Sequence, residues 1–126
     1  MHTEDIGGKT LEHWTVDDVE QALRDGKIIL IDVRTPQEYM FEYIHGALLA
    51  PMAGFDPAFM PPQTDERQIV FHCGSGVRSR KVAEQYLAAG HDRIAHLDGG
   101  FAAWKVAAKP YMGTDPATGA PRKVGG

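Results

Sequence analysis

The chain has 126 residues, enough for one domain with its own core, and 43% apolar against 24% charged residues is a globular balance that excludes disordered and fibrous classes. A net charge of −4 with no run of Lys or Arg argues against nucleic acid and anionic membrane as partners. The single cysteine cannot form an internal disulfide, and with the polar start Met1-His2-Thr3-Glu4-Asp5 and no apolar run near membrane-span length it predicts a cytoplasmic protein without export signal or membrane span.

Residues 1–10 are polar, carry Gly7-Gly8 and read as a flexible arm, so order is expected to begin near Leu11. Thr15 followed by Asp18 resembles a capping box with Asp in the Glu/Gln position, and Val16, Val19, Ala22 and Leu23 make an apolar stripe. A first helix is predicted over Val16 to Arg24, closed by Gly26. Ile28-Ile29-Leu30-Ile31-Asp32-Val33 is apolar without alternation, the pattern of a strand covered on both faces of a parallel sheet. Thr35-Pro36-Gln37-Glu38 supplies an N-cap, a proline at the first helical position and an acidic third position, predicting a short helix from Pro36 to Phe41. Ile44 to Leu49 leads into a short strand stopped by Pro51.

Pro51, Gly54, Pro57, Pro61 and Pro62 make residues 50–67 a surface loop, in which Phe55, Phe59 and Met60 are expected to plug the core. Ile69-Val70-Phe71 reads as a buried strand, and Val77, Val82, Ala83, Tyr86 and Leu87 recur at helical spacing until Gly90. Arg93 to Leu97 is a further strand, turned by Asp98-Gly99-Gly100 into a short helix over Phe101 to Trp104. The tail 111–126, rich in Gly and Pro, is expected to be extended or disordered. Strands alternating with helices predict an α/β fold with a mainly parallel sheet, whose carboxyl-end loops bring Asp32-Val33-Arg34, Cys73 to Arg78 and Asp98-Gly99-Gly100 to one rim.

Cys73 stands at a strand-to-helix turn. The first amides of a helix lack intrahelical partners and carry partial positive charge, and Gly74 and Gly76 let the backbone curl so that several N–H groups aim at one point. Arg78 adds a full charge. Thiolates in such places have pKa values lowered from ~8.5 to roughly 3.5–7.5. A drop of about two units, on the order of 2.7 kcal/mol, converts a largely protonated thiol into a mostly ionised nucleophile at neutral pH. The alternative for a lone cysteine is an inert buried side chain, but inert packing needs neither the glycines nor the arginine. His72 precedes the nucleophile on the strand and points to the opposite face, so it is read as a core or supporting residue rather than a base. The other histidines show no ligand spacing, and no metal is implied.

Asp32-Val33-Arg34 with Glu38-Tyr39, Ile44-x-Gly46-Ala47, Cys73-x-x-Gly76-x-Arg78-Ser79, and Leu97-x-Gly99-Gly100 with Trp104 stand in the order and spacing of a known family. The chain resembles a single-domain rhodanese, a sulfurtransferase, over residues 11–110. The resemblance implies a three-layer α/β/α sandwich with a mainly parallel central sheet. It implies an enzyme in which Cys73 takes a sulfane sulfur from a thiosulfate or persulfide donor, becomes a persulfide, and passes the outer sulfur to a thiol, cyanide or a protein sulfur acceptor. Gly74, Ser75, Gly76, Val77, Arg78 and Ser79 would form the persulfide-binding loop, with Arg78 helping to bind an anionic donor. Asp32 and Arg34 are read as supports for the loop, joined in a buried ion pair or hydrogen-bond network. No cofactor is implied. Having no second thiol, the chain would discharge Cys73 to an outside acceptor.

The sequence departs from the family at Glu42-Tyr43-Ile44, where Gly-His-Ile is usual and the histidine has moved to His45, so Tyr43 is expected to replace a packing contact. Two other functions compete. A non-catalytic binding or sulfur-carrier module would use the same fold without turnover. Cysteine phosphatases and arsenate reductases resemble this loop too, but phosphatases need five residues between Cys and Arg, and here Arg78 arrives one residue early with Ser79 in the required place.

Overall fold

The computed structural model describes residues 1–125. Local chemistry sets several boundaries before packing contributes. At Thr15 the hydroxyl accepts from the Asp18 amide at 3.1 Å, and the Asp18 carboxylate accepts from the Thr15 amide at 3.0 Å. This reciprocal box starts α1 (Val16–Arg24), and Thr35 with Glu38 repeats it at the start of α2 (Pro36–Phe41). Two orphan amides are satisfied at each start, worth typically ~1 kcal/mol per cap.

Strands β1 (His2–Ile6), β2 (Lys9–Trp14), β3 (Ile28–Asp32), β4 (Leu48–Leu49), β5 (Gln68–His72) and β6 (Arg93–Leu97) form one sheet in the order β1-β2-β6-β5-β3-β4. The β1–β2 pair is antiparallel, and every other pairing is parallel. Because successive strand residues face opposite sides, the central strands serve two cores. Ile31, Ile69, Phe71 and Ile94 pack with Val82, Ala83, Tyr86 and Leu87 of α3 (Val77–Ala88). Leu30, Val70, Ala95 and Leu97 pack on the other side with Val19 of α1 and with Phe101 and Trp104 of α4 (Gly100–Val106). The result is a three-layer α/β/α sandwich, and burying each large aliphatic or aromatic side chain in it contributes ~1.5–3 kcal/mol before entropy is charged.

Three sequence expectations are corrected here. Residues 1–10 form β1 and the start of β2, not a loose arm: Gly7 and Gly8 have φ of +59° and +86°, the left-handed pair that a tight two-residue hairpin turn requires. The tail also has structure. Strands β7 (Tyr111–Thr114) and β8 (Pro121–Val124) pair as a second, two-stranded sheet, anchored where Trp104 Nε1 donates to the Pro110 carbonyl and Tyr43 exchanges backbone hydrogen bonds with Met112. Phe59, expected as a plug, is 83% exposed, while Phe55 and Met60 do pack against the α3-side core. The single 3-10 turn Pro57–Phe59 points Phe59 outward. Tyr43 stacks on Tyr39, with ring centroids 4.8 Å apart.

Candidate active site

Cys73 follows β5, and α3 begins at Val77, so the sulfur sits under the loop Gly74-Ser75-Gly76 at a helix N-terminus. Its Sγ accepts hydrogen bonds from the amides of Gly76 at 3.1 Å and Ser79 at 3.3 Å, and Ser79 Oγ lies 3.6 Å away. The backbone reaches this shape because Gly76 caps α3 with φ of +103°, and a Cβ there would stand 3.3 Å from the Gly99 nitrogen. Cys73 itself has no exposed surface. Burial pushes the thiol pKa up. The Ser79 amide and hydroxyl and the Gly76 and Ser75 amides outweigh it, leaving the thiol below its ordinary value. Such a group is a nucleophile poised by hydrogen bonding rather than by a neighbouring base.

The loop's outward carbonyls are held by α4. Phe101 N–H donates to the Cys73 carbonyl at 2.8 Å and Ala102 N–H to that of Gly74 at 2.9 Å. Gly100 permits this approach, since a Cβ on it would lie 2.6 Å from the Cys73 carbonyl oxygen. The motif around Gly99-Gly100 thus belongs to the cradle.

Arg78 lies beside the loop and also reaches α2. Its guanidinium is bound by both oxygens of Glu38, at 2.7 and 3.1 Å, which spends its charge on tying α3 to α2. The Arg78 bond comes first among the causes that hold Glu38 down at about 2. The loop amides donate to the sulfur directly, and the paired Arg78 guanidinium stands within electrostatic reach of it.

Asp32 and Arg34 form a buried bidentate pair, with contacts of 2.8 to 3.0 Å. Arg34 also donates to the Glu42 carbonyl at 2.7 Å and covers the Phe101 ring at 4.7 Å. The pair reaches the cradle through Phe101 on one side and through His72 on the other. His72 is fully buried, with Nδ1 3.3 Å from the Cys73 carbonyl and Nε2 3.5 Å from Asp32, and among the described residues Nε2 has no hydrogen-bond partner. Burial, outweighing the Asp32 carboxylate, holds its pKa below the ordinary value, so it stays neutral.

Sequence reasoning passed over His96 and His13. His96 Nδ1 lies 2.9 Å from Ser79 Oγ, and its Nε2 lies 3.0 Å from His13 Nδ1. The available signal was position: both precede the carboxyl ends of parallel strands, facing each other across β2 and β6, where α/β sites form. Among the described residues no group of three or more His, Cys, Asp or Glu side chains is placed to hold a metal ion, and no helix is long and apolar enough to cross a membrane.

A mainly parallel sheet sandwiched by helices, with a cysteine held by amides at the turn from strand to helix, defines a thiol-centred anion cradle. The Rhodanese-like domain profile matches residues 15–107, and the chain belongs to that family. It is 34% identical over 87 residues to a protein named sulfurtransferase from Allochromatium vinosum, covering 68% of this chain and 80% of that one. It is 35% identical over 96 residues to an uncharacterized protein of Synechocystis sp., covering 76% of this chain and 53% of that longer one, so it spans about half that relative's length. The crystal structure of a rhodanese-related protein from Thermoplasma volcanium superposes with a TM-score of 0.66 at 20% identity, covering 79% of this chain and 96% of that one, a likeness of fold.

Proposed function

We propose that the protein is a sulfurtransferase that carries sulfane sulfur as a persulfide on Cys73. The observation that carries this reading is the Cys73 sulfur accepting from the Gly76 and Ser79 amides at the start of α3. The relative from Allochromatium vinosum named sulfurtransferase supports it.

In the first half-reaction the Cys73 thiolate attacks the outer sulfur of thiosulfate. The new S–S bond forms as the old one breaks, and sulfite leaves with the electron pair. In the second, an acceptor thiolate attacks the outer persulfide sulfur and Cys73 leaves as thiolate, so the cycle closes without a second cysteine. The negative charge on the terminal sulfur is met by preorganised amides from Gly74 to Ser79. Asp32 and Arg34 hold the neighbouring backbone rather than touch the sulfur.

Intact-mass measurement after incubation with thiosulfate tests this: one added sulfur atom on wild type and none on folded Cys73→Ser is expected. No adduct from thiosulfate or from any persulfide donor would refute it. The complete burial of Cys73 favours one second reading, a sulfur carrier loaded only when a donor protein opens the loop. Loading by a protein persulfide with none by thiosulfate would select it.

A further inference from the structure

The hydrogen bonds that reach the sulfur continue away from it through four more side chains. Ser79 Oγ lies 3.6 Å from Cys73 Sγ and 2.9 Å from His96 Nδ1. His96 Nε2 lies 3.0 Å from His13 Nδ1, and His13 Nε2 lies 2.9 Å from Glu4 Oε1. Arg80 fixes the Glu4 carboxylate with contacts of 2.8 and 2.7 Å. The line begins in the interior, where Cys73, Ser79 and His96 are buried, and ends at a carboxylate that is 39% exposed.

We propose that Ser79, His96 and His13 relay the Cys73 thiol proton to His13, where the Glu4 carboxylate holds it, leaving Cys73 as the thiolate. The relay serves the sulfur-transfer reading above, which gives it its use.

One choice of tautomers makes each contact along the line a donor–acceptor pair, with the Ser79 hydroxyl proton given to His96 at 2.9 Å in preference to the Gly76 carbonyl at 3.2 Å. Cys73 S–H donates to Ser79 Oγ, Ser79 O–H to His96 Nδ1, His96 Nε2–H to His13 Nδ1, and His13 Nε2–H to Glu4. Shifting each of the first three protons one step breaks the S–H bond and forms an N–H bond at His13 Nδ1. Ser79 and His96 each gain one proton and lose one. Afterwards Ser79 O–H donates to the thiolate, His96 Nδ1–H to Ser79, and the His13 imidazolium to both His96 and Glu4. Nothing is oxidised, no proton leaves the protein, and no hydrogen bond is lost.

The charges around the line suit this direction. Burial comes first, then the neighbouring His13, in holding His96 down at about 4 against the opposing Asp98 and Glu4, so His96 passes a proton and does not keep one. The Arg80 and His13 bonds hold Glu4 at about 2, so it stays a carboxylate. His2 stacks on His13 with centroids 4.4 Å apart, and Arg80, Lys81, Glu84 and Asp98 face the same surface hollow beside the loop. Glu4 and His13 precede residue 15, where the family match begins, and the N-terminal hairpin supplies them.

The chain has one cysteine, so the ultraviolet absorbance of the thiolate reports Cys73 alone. Full-length wild type, Glu4→Gln and His13→Gln are titrated by this signal. Gln at 13 offers a hydrogen-bond partner but holds no proton, so it preserves a brace and removes a relay. Both variants are expected to raise the thiolate midpoint by about one pH unit, a tenfold loss of thiolate at fixed pH below it. Equal thiolate midpoints in wild type and both folded variants would overturn the relay. If His13→Gln does not fold, Glu4→Gln at the surface decides alone. Shifted midpoints in a protein that no sulfane donor loads would sink the sulfurtransferase reading and leave the relay standing.

Discussion

Gly100→Ala probes how the cradle keeps its shape. Gly100 has φ of +60°, where a side chain costs roughly 1–2 kcal/mol in backbone strain. The added Cβ would lie 2.6 Å from the Cys73 carbonyl oxygen and 2.8 Å from the Gly74 carbonyl carbon and oxygen. All three are backbone atoms of the cradle, so no flexible side chain can turn aside. Overpacking of this kind costs a further ~1–3 kcal/mol, for a total of about 2–5 kcal/mol against a typical domain stability of roughly 5–15 kcal/mol. Gly26→Ala is the matched control: its φ is +67°, but a Cβ there meets nothing within 4 Å, so only the strain remains. Urea unfolding of the two variants should show Gly100→Ala losing more, by about 1 kcal/mol or above. Its thiolate midpoint should also rise, because pushing the Cys73–Gly74 backbone moves Sγ off the Gly76 and Ser79 amides. Gly26→Ala should leave that midpoint alone. Equal losses in the two variants, with unchanged midpoints, would mean that the loop yields freely and that α4 does not set its geometry.

Asp32→Asn should cost about 3–5 kcal/mol in urea unfolding, because it strands the buried Arg34 guanidinium; a loss below 1 kcal/mol would mean that Arg34 finds water or another partner. Glu38→Gln removes a pair whose side chains are 35% and 37% exposed, so its effect on stability should stay within about 1 kcal/mol and shrink with added salt. The sign follows from a depressed carboxylate: the Glu38 contribution is present above its ordinary value of 4.5 and disappears as pH falls through about 2, so wild type and Glu38→Gln should converge in acid. For His96 the depressed group is a base. Below pH 6.5 the unfolded chain takes a proton that the folded chain refuses until about pH 4, which removes about 3 kcal/mol of stability across that window. Stability measured from pH 7 to pH 4 should therefore fall less steeply in His96→Gln than in wild type, and parallel slopes would refute the assignment.

Much of the architecture was legible because it is written locally. The reciprocal boxes at Thr15 and Thr35, the unbroken apolar run of β3 and the Gly-rich turn after β5 each follow from neighbours a few residues apart. The two hairpins were missed for opposite reasons. Gly7-Gly8 reads as flexibility when taken alone, although a pair of left-handed glycines is also a tight hairpin turn. The tail depends on Tyr43 and Thr114 meeting partners about 70 residues away in the chain, Met112 and Phe41, which no local pattern records. Arg78 shows the same limit. Its position in the loop is a property of the sequence, but its pairing with Glu38 depends on α2 and α3 packing side by side. His13 and His96 carried no signal as isolated residues, and only strand register brings them within one hydrogen bond.

A loop that turns its amides inward toward an anion necessarily turns carbonyls away from it, and those carbonyls are themselves a cost if left dry. Here the cost is met from another part of the chain: the Phe101 and Ala102 amides, orphaned at the start of α4, take the carbonyls of Cys73 and Gly74. The first amides of α3 are thereby left to the sulfur alone. The pairing of two helix starts, one serving the anion and the other serving the backbone that holds it, explains why glycines as far apart as Gly76 and Gly100 come to lie against each other's loops. It also separates two kinds of damage. Changes at the Gly99–Ala102 turn act on where the sulfur's donors stand, whereas changes at His96 and His13 act on where its proton goes; Ser79 belongs to both, since its amide donates to the sulfur and its hydroxyl leads to His96.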